Sequence, residues 1–318
     1  VLLFLPIKFK PEWEGSRLKK IVVVGSINMD VVIRVPHIPT IGETVLAKGQ
    51  QLYGGGKGAN QAIAASRLGG NVYMIGRLGD DAYGKKLYNE LVNNNVKVKA
   101  VEYDTNFPTG TAYICVSDKG DNTIVVNQGA NGRLDIEQIK RYECILQDAD
   151  YCILQMEIPI STIEYVIDFC KKKNIKVILN PAPAHLLSDE TLEGIYMILP
   201  NETELAILCN NSGTIEDMAK SLHKKGIENV IVTLGGNGSM LVNEKTTKHF
   251  PAMSFPVVDT TAAGDAFVGA VTVGLSEGMD LEKAIEFATC AAGITVSREG
   301  AQASLPDRKM VDSYFSMR

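Results

Sequence analysis

Short apolar, β-branched runs recur along the chain: IVVVG at 21–25, NVYMIG at 71–76, ADYCILQM at 149–156, KVILNP at 176–181, YMILPN at 196–201 and NVIVTLG at 229–235. Runs of this kind, apolar without in–out alternation, predict strands buried on both faces. Between them lie stretches with helical spacing, at 59–69, 81–94, 160–174, 214–226 and 264–278. Strands that alternate with helices predict βαβ units, and hence an α/β fold of three layers around a mostly parallel sheet.

Two segments break the alternation. Residues 30–53 and 109–127 carry turn-punctuated strand patterns without helices, and DKGDN at 118–122 predicts a hairpin turn. They could extend an edge of the main sheet, or pair into a small sheet inserted as a lid over a substrate. No repeat, low-complexity tract or linker divides the chain. The ordered chain is expected to span 19–318, and residues 1–18 to be a leader or appended remnant, poorly ordered. Neither VLLFLPI at 1–7 nor the apolar stretch 266–275 is long enough to span a bilayer, so no membrane partner is expected.

Composition sharpens this only at the margins. With 318 residues, 45% hydrophobic and 22% charged, the chain can bury a large core. A net charge of −5 argues against a nucleic-acid-binding surface. Lys171, Lys172 and Lys173 read as a solvated helix end. The six cysteines contain no CxxC pair and the four histidines are isolated, which excludes a zinc cluster and a disulfide framework and fits a reducing, cytoplasmic setting (a nuclear one is equally allowed).

The commoner phosphate motifs are missing. There is no GxxxxGK[ST], and the first strand runs into GSINMD rather than GxGxxG; GGGKGA at 54–59 satisfies GxGxxA but does not follow that strand. The chemistry concentrates instead in FPVVDTTAAGDAFVGAV at 255–271. Here a strand, PVVD, is expected to pass through a small-residue loop into a helix. Unshielded N–H groups of Ala262, Ala263 and Gly264 at that helix start would form an anion hole. Asp265 in the first turn is either a general base or a plain helix cap; the local pattern allows both. LYGGGKGANQA at 52–62 offers glycines for close approach, with Lys57 and Asn60 at the mouth of a helix. Asn28 and Asp30 in GSINMD, Glu157, and Asn201 with Glu204 in PNETE each follow a strand, so a parallel sheet would gather them at one crevice.

Taken together, GSINMD, GETV (42–45), GGGKGANQA, GDD (79–81), NPAPA (180–184), PNETE, TLGGNG (233–238), DTTAAGDAF and EGAQASLP (299–306) resemble the ribokinases, within the wider family of ribokinase-like carbohydrate kinases, from Ile21 to Pro306. DTTAAGD marks the superfamily and GGKGANQA the narrower group. The resemblance implies the ribokinase-like fold with a small β-sheet lid, and ATP-dependent phosphorylation of D-ribose at O5 with Asp265 as base. It implies that Asn28, Asp30, Gly56, Lys57, Asn60 and Glu157 hold the sugar. Asn201, Thr233, Gly235, Gly238 and Thr289 would line the ATP site, and Glu204 would serve magnesium through water. A potassium site would use Asp259, Thr261, Thr295, Arg298, Gly300 and Ser304. A homodimer formed through the lid is implied as well.

The family loop often reads GAGD; Ala262 is compatible if its φ is negative. Met29, between the two sugar-binding polar residues, could affect tolerance near one hydroxyl. Competing readings are a kinase for 2-deoxyribose, another sugar or a nucleoside; a non-catalytic sugar sensor, which would lack the base or the anion hole; and a dehydrogenase argued only from topology.

Overall fold

The computed structural model describes residues 19–316. The strands are β1 (Lys20–Val24), β2 (Asn28–Val35), β3 (Gly49–Gly55), β4 (Asn71–Gly79), β5 (Lys97–Asp104), β6 (Gly110–Ser117), β7 (Asn122–Asn127), β8 (Tyr151–Gln155), β9 (Lys176–Asn180), β10 (Met197–Ile198), β11 (Asn229–Thr233), β12 (Ser239–Asn243) and β13 (Thr247–Phe250). Nine of them form one sheet in the order β13-β12-β11-β10-β9-β8-β1-β4-β5, in which every pairing is parallel except β11 with β12 and β12 with β13, so that β12 alone runs against the rest. Along β1, Ile21 and Val23 enter one core while Val22 and Val24 enter the other, all at 0% exposure. A strand buried on both faces has no use for polar alternation, which is why IVVVG reads as a continuous apolar run.

Helices Lys57–Arg67, Ala82–Asn93, Ala263–Ser276, Leu281–Val296 and Arg308–Phe315 cover the first face; Ile160–Lys173, Glu202–Leu208 and Ile215–Lys224 cover the second. This is the expected three-layer α/β sandwich. Lys171, Lys172 and Lys173 form the basic last turn of the Ile160 helix, favourable to its dipole.

Segments 30–53 and 109–127 supply a separate four-stranded sheet, β3-β2-β6-β7, rather than lengthening the large one. β2 pairs parallel with β6; the other two pairings are antiparallel. The DKGDN turn joins β6 to β7, with Gly120 at φ 87°. The expected leader, 1–18, lies outside the described residues. Among the described residues no helix is long and apolar enough to cross a membrane.

The expected strand PVVD does not form. Residues 256–259 pair with no strand, and Val257 and Val258 are 69% and 61% exposed. Both Val258 N–H and Asp259 N–H donate to the Val296 carbonyl (2.8 and 3.2 Å), anchoring the segment to a helix end instead. Two β-branched residues carry strand propensity, but without a neighbour to pair with, propensity alone does not make a strand. Met29 is also corrected. It is fully buried in the core, on the face of β2 opposite its neighbours Asn28 and Asp30, so it does not reach a sugar.

Candidate active site

The carboxyl ends of β1, β8, β9, β10 and β11 open on one crevice, roofed on one side by the small sheet. The Lys57–Arg67 helix begins there. Gly56 supplies φ 86°, and a Cβ at that position would lie 2.6 Å from Asn28 N, so only glycine allows the turn. The first N–H groups of this helix are met by groups from other strands. Lys57 N–H donates to Glu157 Oε2 (3.2 Å), Gly58 N–H to Ser26 Oγ (3.3 Å) and Ala59 N–H to the Ser26 carbonyl (2.9 Å). Ser26 Oγ in turn donates to Glu157 Oε2. Glu157 therefore caps this helix through one oxygen and keeps the other for the crevice.

Asp265 sits in the first turn of the Ala263–Ser276 helix at 6% exposure. Asn60 Nδ2 donates to its Oδ2 and Gln61 Nε2 to its Oδ1, each at 2.9 Å. Burial pushes the Asp265 carboxyl up, while Lys57 and the two amide donors oppose that shift. Burial would push Lys57 down, but Asp265, Glu157, Glu204 and Asp30 surround it and hold it above the usual lysine range. Asp30 is raised to about 7 by burial and by the charges of Glu157 and Asp265, against Lys57. One cation thus stands among four carboxylates. Asn60 Oδ1 is buried and has no hydrogen-bond partner among the described residues, an acceptor left unused.

Two cavities flank this centre. One, of about 280 Å³, is lined by Asn28, Asn131, Glu157, His185 and Val126 of β7 among others. The second, of about 200 Å³, is lined by Lys57, Asn180, Asn201, Glu204, Thr233, Thr260, Ala262, Gly264 and Asp265. Asp265 and Lys57 lie at the second cavity, within electrostatic reach of the Glu157 that lines the first.

Among the residues assigned to ATP, Asn201 caps the Glu202–Leu208 helix in a capping box with Glu204, whose Oε2 and Oε1 accept from Asn201 N and Nδ2 (2.9 and 3.0 Å). Burial raises Glu204, with Asn201 and Lys57 opposing. Gly235 (φ 54°) and Gly238 (φ 90°) bracket the short turn after β11. Thr289 does not line either cavity; it lies inside the Leu281–Val296 helix, and its Oγ1 donates back to the Ile285 carbonyl (2.8 Å).

The anion hole differs from expectation in two ways. Ala262 adopts φ 61°, ψ 6°, the left-handed region, not the negative φ that alanine prefers. Ala263 N–H donates to the Thr260 carbonyl (3.3 Å), so of 262–264 only the amides of Ala262 and Gly264 lack an acceptor among the described residues. The left-handed residue is what turns the exposed loop sharply into the helix. It places Gly264, whose missing Cβ would meet nothing within 4 Å, beside the open cavity.

Asp259 Oδ1 accepts from Thr261 N–H and Oδ2 from Gly300 N–H (both 2.9 Å), tying the 259–261 loop to 295–304. Despite burial, these donors and Arg34 hold Asp259 below the usual carboxylate range. Thr295 and Ser304 are fully buried, their hydroxyls donating to the Ala291 and Ala301 carbonyls. Arg298 N–H donates to the Thr295 carbonyl (3.2 Å). An ionised carboxylate among buried carbonyl and hydroxyl oxygens is a donor set suited to a hard cation of low charge.

Five polar residues at the centre were not singled out from sequence. Ser26, Gln61, Asn131, Gln155 and Asn180 are all under 9% exposed. Asn131 Nδ2 donates to Asn28 Oδ1 (2.6 Å) and its Oδ1 accepts from Ile27 N–H (2.9 Å), fixing the Asn28 amide from 103 residues away. Gln155 carried a usable signal, a polar residue ending a buried apolar run, and Gln61 another, since it stands beside Asn60 just before the apolar stretch 62–65. Asn131 had none.

A buried carboxylate at a helix start, beside unpaired amides and two adjoining cavities, defines a phosphotransferase of the α/β type. The comparisons narrow this. The pfkB family carbohydrate kinase model matches residues 18–308, and the chain belongs to that family. It is 39% identical to the ribokinase of Haemophilus influenzae over 92% of this chain and 96% of that one. It is also 39% identical to the ribokinase of Bacillus subtilis over 94% and 100% of the two chains. The structure of Arabidopsis thaliana ribokinase complexed with ribose and ATP superposes with a TM-score of 0.86 at 35% identity, covering 94% of this chain and 99% of that one.

Proposed function

We propose that the protein transfers the γ-phosphate of ATP to the O5 hydroxyl of D-ribose, giving ribose 5-phosphate and ADP. The observation that carries this reading is Asp265: a buried carboxylate with each oxygen held by one amide, beside the unpartnered Asn60 Oδ1 and the free amide of Gly264. Asn28, Asp30, Gly56, Lys57, Asn60 and Glu157 hold the sugar between the two cavities, Asn28 and Glu157 from the 280 Å³ one and Lys57 from the other, with their polar groups matching hydroxyls. The nucleotide phosphates enter the 200 Å³ cavity past Asn201, Thr233, Gly235 and Gly238. Asp265 accepts the O5 proton as O5 bonds to the γ-phosphorus and the bond to the β-phosphate oxygen breaks. Lys57 and the amides of Ala262 and Gly264 stabilise charge on the transferred group, and positioning supplies much of the rest.

Magnesium, when bound, neutralises phosphate charge. Glu204 fits it through water, because both its oxygens already serve the helix cap and one carboxylate leaves most of the shell to water and phosphate. Asp259, Thr261, Thr295, Arg298, Gly300 and Ser304 would hold potassium next to the anion-hole loop. The small sheet acts as a lid: Val126 of β7 already lines the sugar cavity. The same sheet is proposed to pair two copies into a homodimer, since Ile124, Val125 and Val126 of its edge strand are all exposed. A cytoplasmic location suits the six free thiols.

The test is ADP formation from magnesium-ATP with ribose, 2-deoxyribose, fructose and adenosine, in potassium and then sodium. Ribose-selective turnover supports the assignment; selectivity for another acceptor reassigns the substrate. Asp265→Asn is expected to lower kcat by about 10²–10⁴ with ribose binding kept, and near-normal turnover would remove Asp265 from the role.

A further inference from the structure

Behind Asp265 lies a chain of buried amides, Gln61, Gln155 and Asn180, of which only Asn180 lines a cavity. Gln61 follows Asn60 on the Lys57–Arg67 helix, and at 0% exposure its amide is committed at every atom. Its Nε2 donates both to Asp265 Oδ1 (2.9 Å) and to Asn180 Oδ1 (3.1 Å); its Oε1 accepts from Gln155 Nε2 (2.7 Å). Asn180 cannot turn round, because its own Nδ2 is spent on the Leu199 carbonyl (3.0 Å). Gln155, also 0% exposed, cannot turn without presenting an oxygen to the Gln61 oxygen. A reversed Gln61 would set its oxygen against both a carboxylate and the Asn180 oxygen. Three partners on β8, β9 and the Ala263–Ser276 helix therefore fix which end of Gln61 faces the base.

The consequence follows from where the donors lie. Asn60 holds Oδ2 and Gln61 holds Oδ1, so the carboxylate cannot rotate about its χ2 axis without breaking both bonds. We propose that Gln61, locked by Gln155 and Asn180, is a positioning residue for Asp265: it keeps the carboxylate turned toward the incoming sugar hydroxyl. This rests on the reading of Asp265 as the base. Gln155 leaves its Oε1 buried and unpartnered beside Gly25 to make this arrangement, and a Cβ on Gly25 would come within 1.9 Å of that oxygen. A site that leaves an acceptor unsatisfied in order to aim a donor at a carboxylate is doing something other than maximising stability. The charged groups coupled to Asp265 are Lys57, at the start of the helix that carries Gln61, Asp30 on β2 and Glu204 on the Glu202–Leu208 helix.

Gln61→Met keeps length and volume while removing the donor. In steady-state kinetics with ribose and magnesium-ATP, it is expected to lower kcat about 10-fold to 100-fold, with the ribose KM changed less than about threefold. The acidic limb of the kcat–pH profile should move up by about one unit, because one of the groups favouring the ionised base is gone. Gln155→Met, which leaves the Asp265 bond intact but removes the donor that anchors Gln61 Oε1, should show the same shift at smaller size. It carries the test if Gln61→Met does not fold. On an Asp265→Asn background, Gln61→Met should cost no further kcat. An unmoved acidic limb in both variants, with Asp265→Asn inactive, would overturn the positioning role alone. An active Asp265→Asn enzyme would overturn the base itself, and the proposal with it.

Discussion

If Asp30 holds ribose as proposed, sugar binding is sensitive to pH in a direction set by the burial and neighbours of that carboxyl. Burial, Glu157 and Asp265 raise its carboxyl to about 7, with Lys57 only partly offsetting them. To receive hydrogen bonds from ribose hydroxyls at both oxygens it must be ionised, so below pH 7 sugar binding has to expel a proton. With a free-state pKa of about 7, about half of the empty sites are ionised at pH 7, about a tenth at pH 6 and nearly all at pH 8. Ribose affinity should therefore weaken by about tenfold, or about 1.4 kcal/mol, between pH 8 and pH 6. The sign for stability runs the other way. A folded-state pKa above the unfolded value means that the empty protein gains from protonated Asp30 at low pH and loses that gain as pH rises through 7; bound ribose should narrow the difference. Isothermal titration calorimetry with ribose, in two buffers of different ionisation enthalpy, reads both affinity and protons released. About 0.9 proton per ribose is expected to leave at pH 6 and about 0.1 at pH 8. Asp265, also raised by burial, titrates in the same direction. Asp30→Asn separates the two, since any pH dependence left in that variant belongs to Asp265. A wild-type affinity that is flat from pH 6 to 8, with no proton released at pH 6, would refute the argument.

Ser26→Ala should raise the ribose KM about 5-fold to 30-fold, about 1–2 kcal/mol, because Gly58 N–H and Glu157 each lose a partner; steady-state kinetics reads it directly. Ala262→Gly should raise the thermal midpoint by about 1–3 °C, as the left-handed backbone at φ 61° suits glycine better than alanine, and a scan of the two proteins decides it. Asp259→Asn should bring the ratio of turnover in potassium to turnover in sodium toward one, measured at saturating ribose and ATP.

The sequence made the layered fold readable where burial was complete. β1, β8, β9 and β11 sit between two helical layers, so their central positions are apolar, polar residues fall only at their ends, and the strand shows through its composition. Legibility failed at the margins of the sheet. β5, an edge strand reading KVKAVEYD, mixes lysines with apolar residues because one side meets solvent, and β12 and β13 turn back antiparallel after the pattern of crossovers has ended. The failure at PVVD is the converse: Val257 and Val258 look like core and face water, because what anchors the segment is one carbonyl, Val296, far along the chain.

Within the site, the residues readable from sequence are those that stand at strand ends and helix starts, where backbone geometry alone brings them to the crevice. Asn28, Lys57, Glu157, Asn201 and Asp265 are of this kind. What sequence could not supply is the order of the hydrogen bonds between them. Glu157 was read as a sugar ligand, yet one of its oxygens holds the start of the helix that carries Lys57 and Asn60. Asn60 was read the same way, yet its amide nitrogen belongs to Asp265 and only its oxygen remains for a ligand. Each such residue links elements distant in sequence, Glu157 the end of β8 to the Lys57–Arg67 helix and Asn60 that helix to the Ala263–Ser276 helix. The crevice is therefore a single bonded unit joining β1, β8 and two helices. A substitution in it should act on sugar affinity and turnover together, unless it falls on a group such as Gln61, which bonds the base and two buried amides but none of the residues assigned to the sugar.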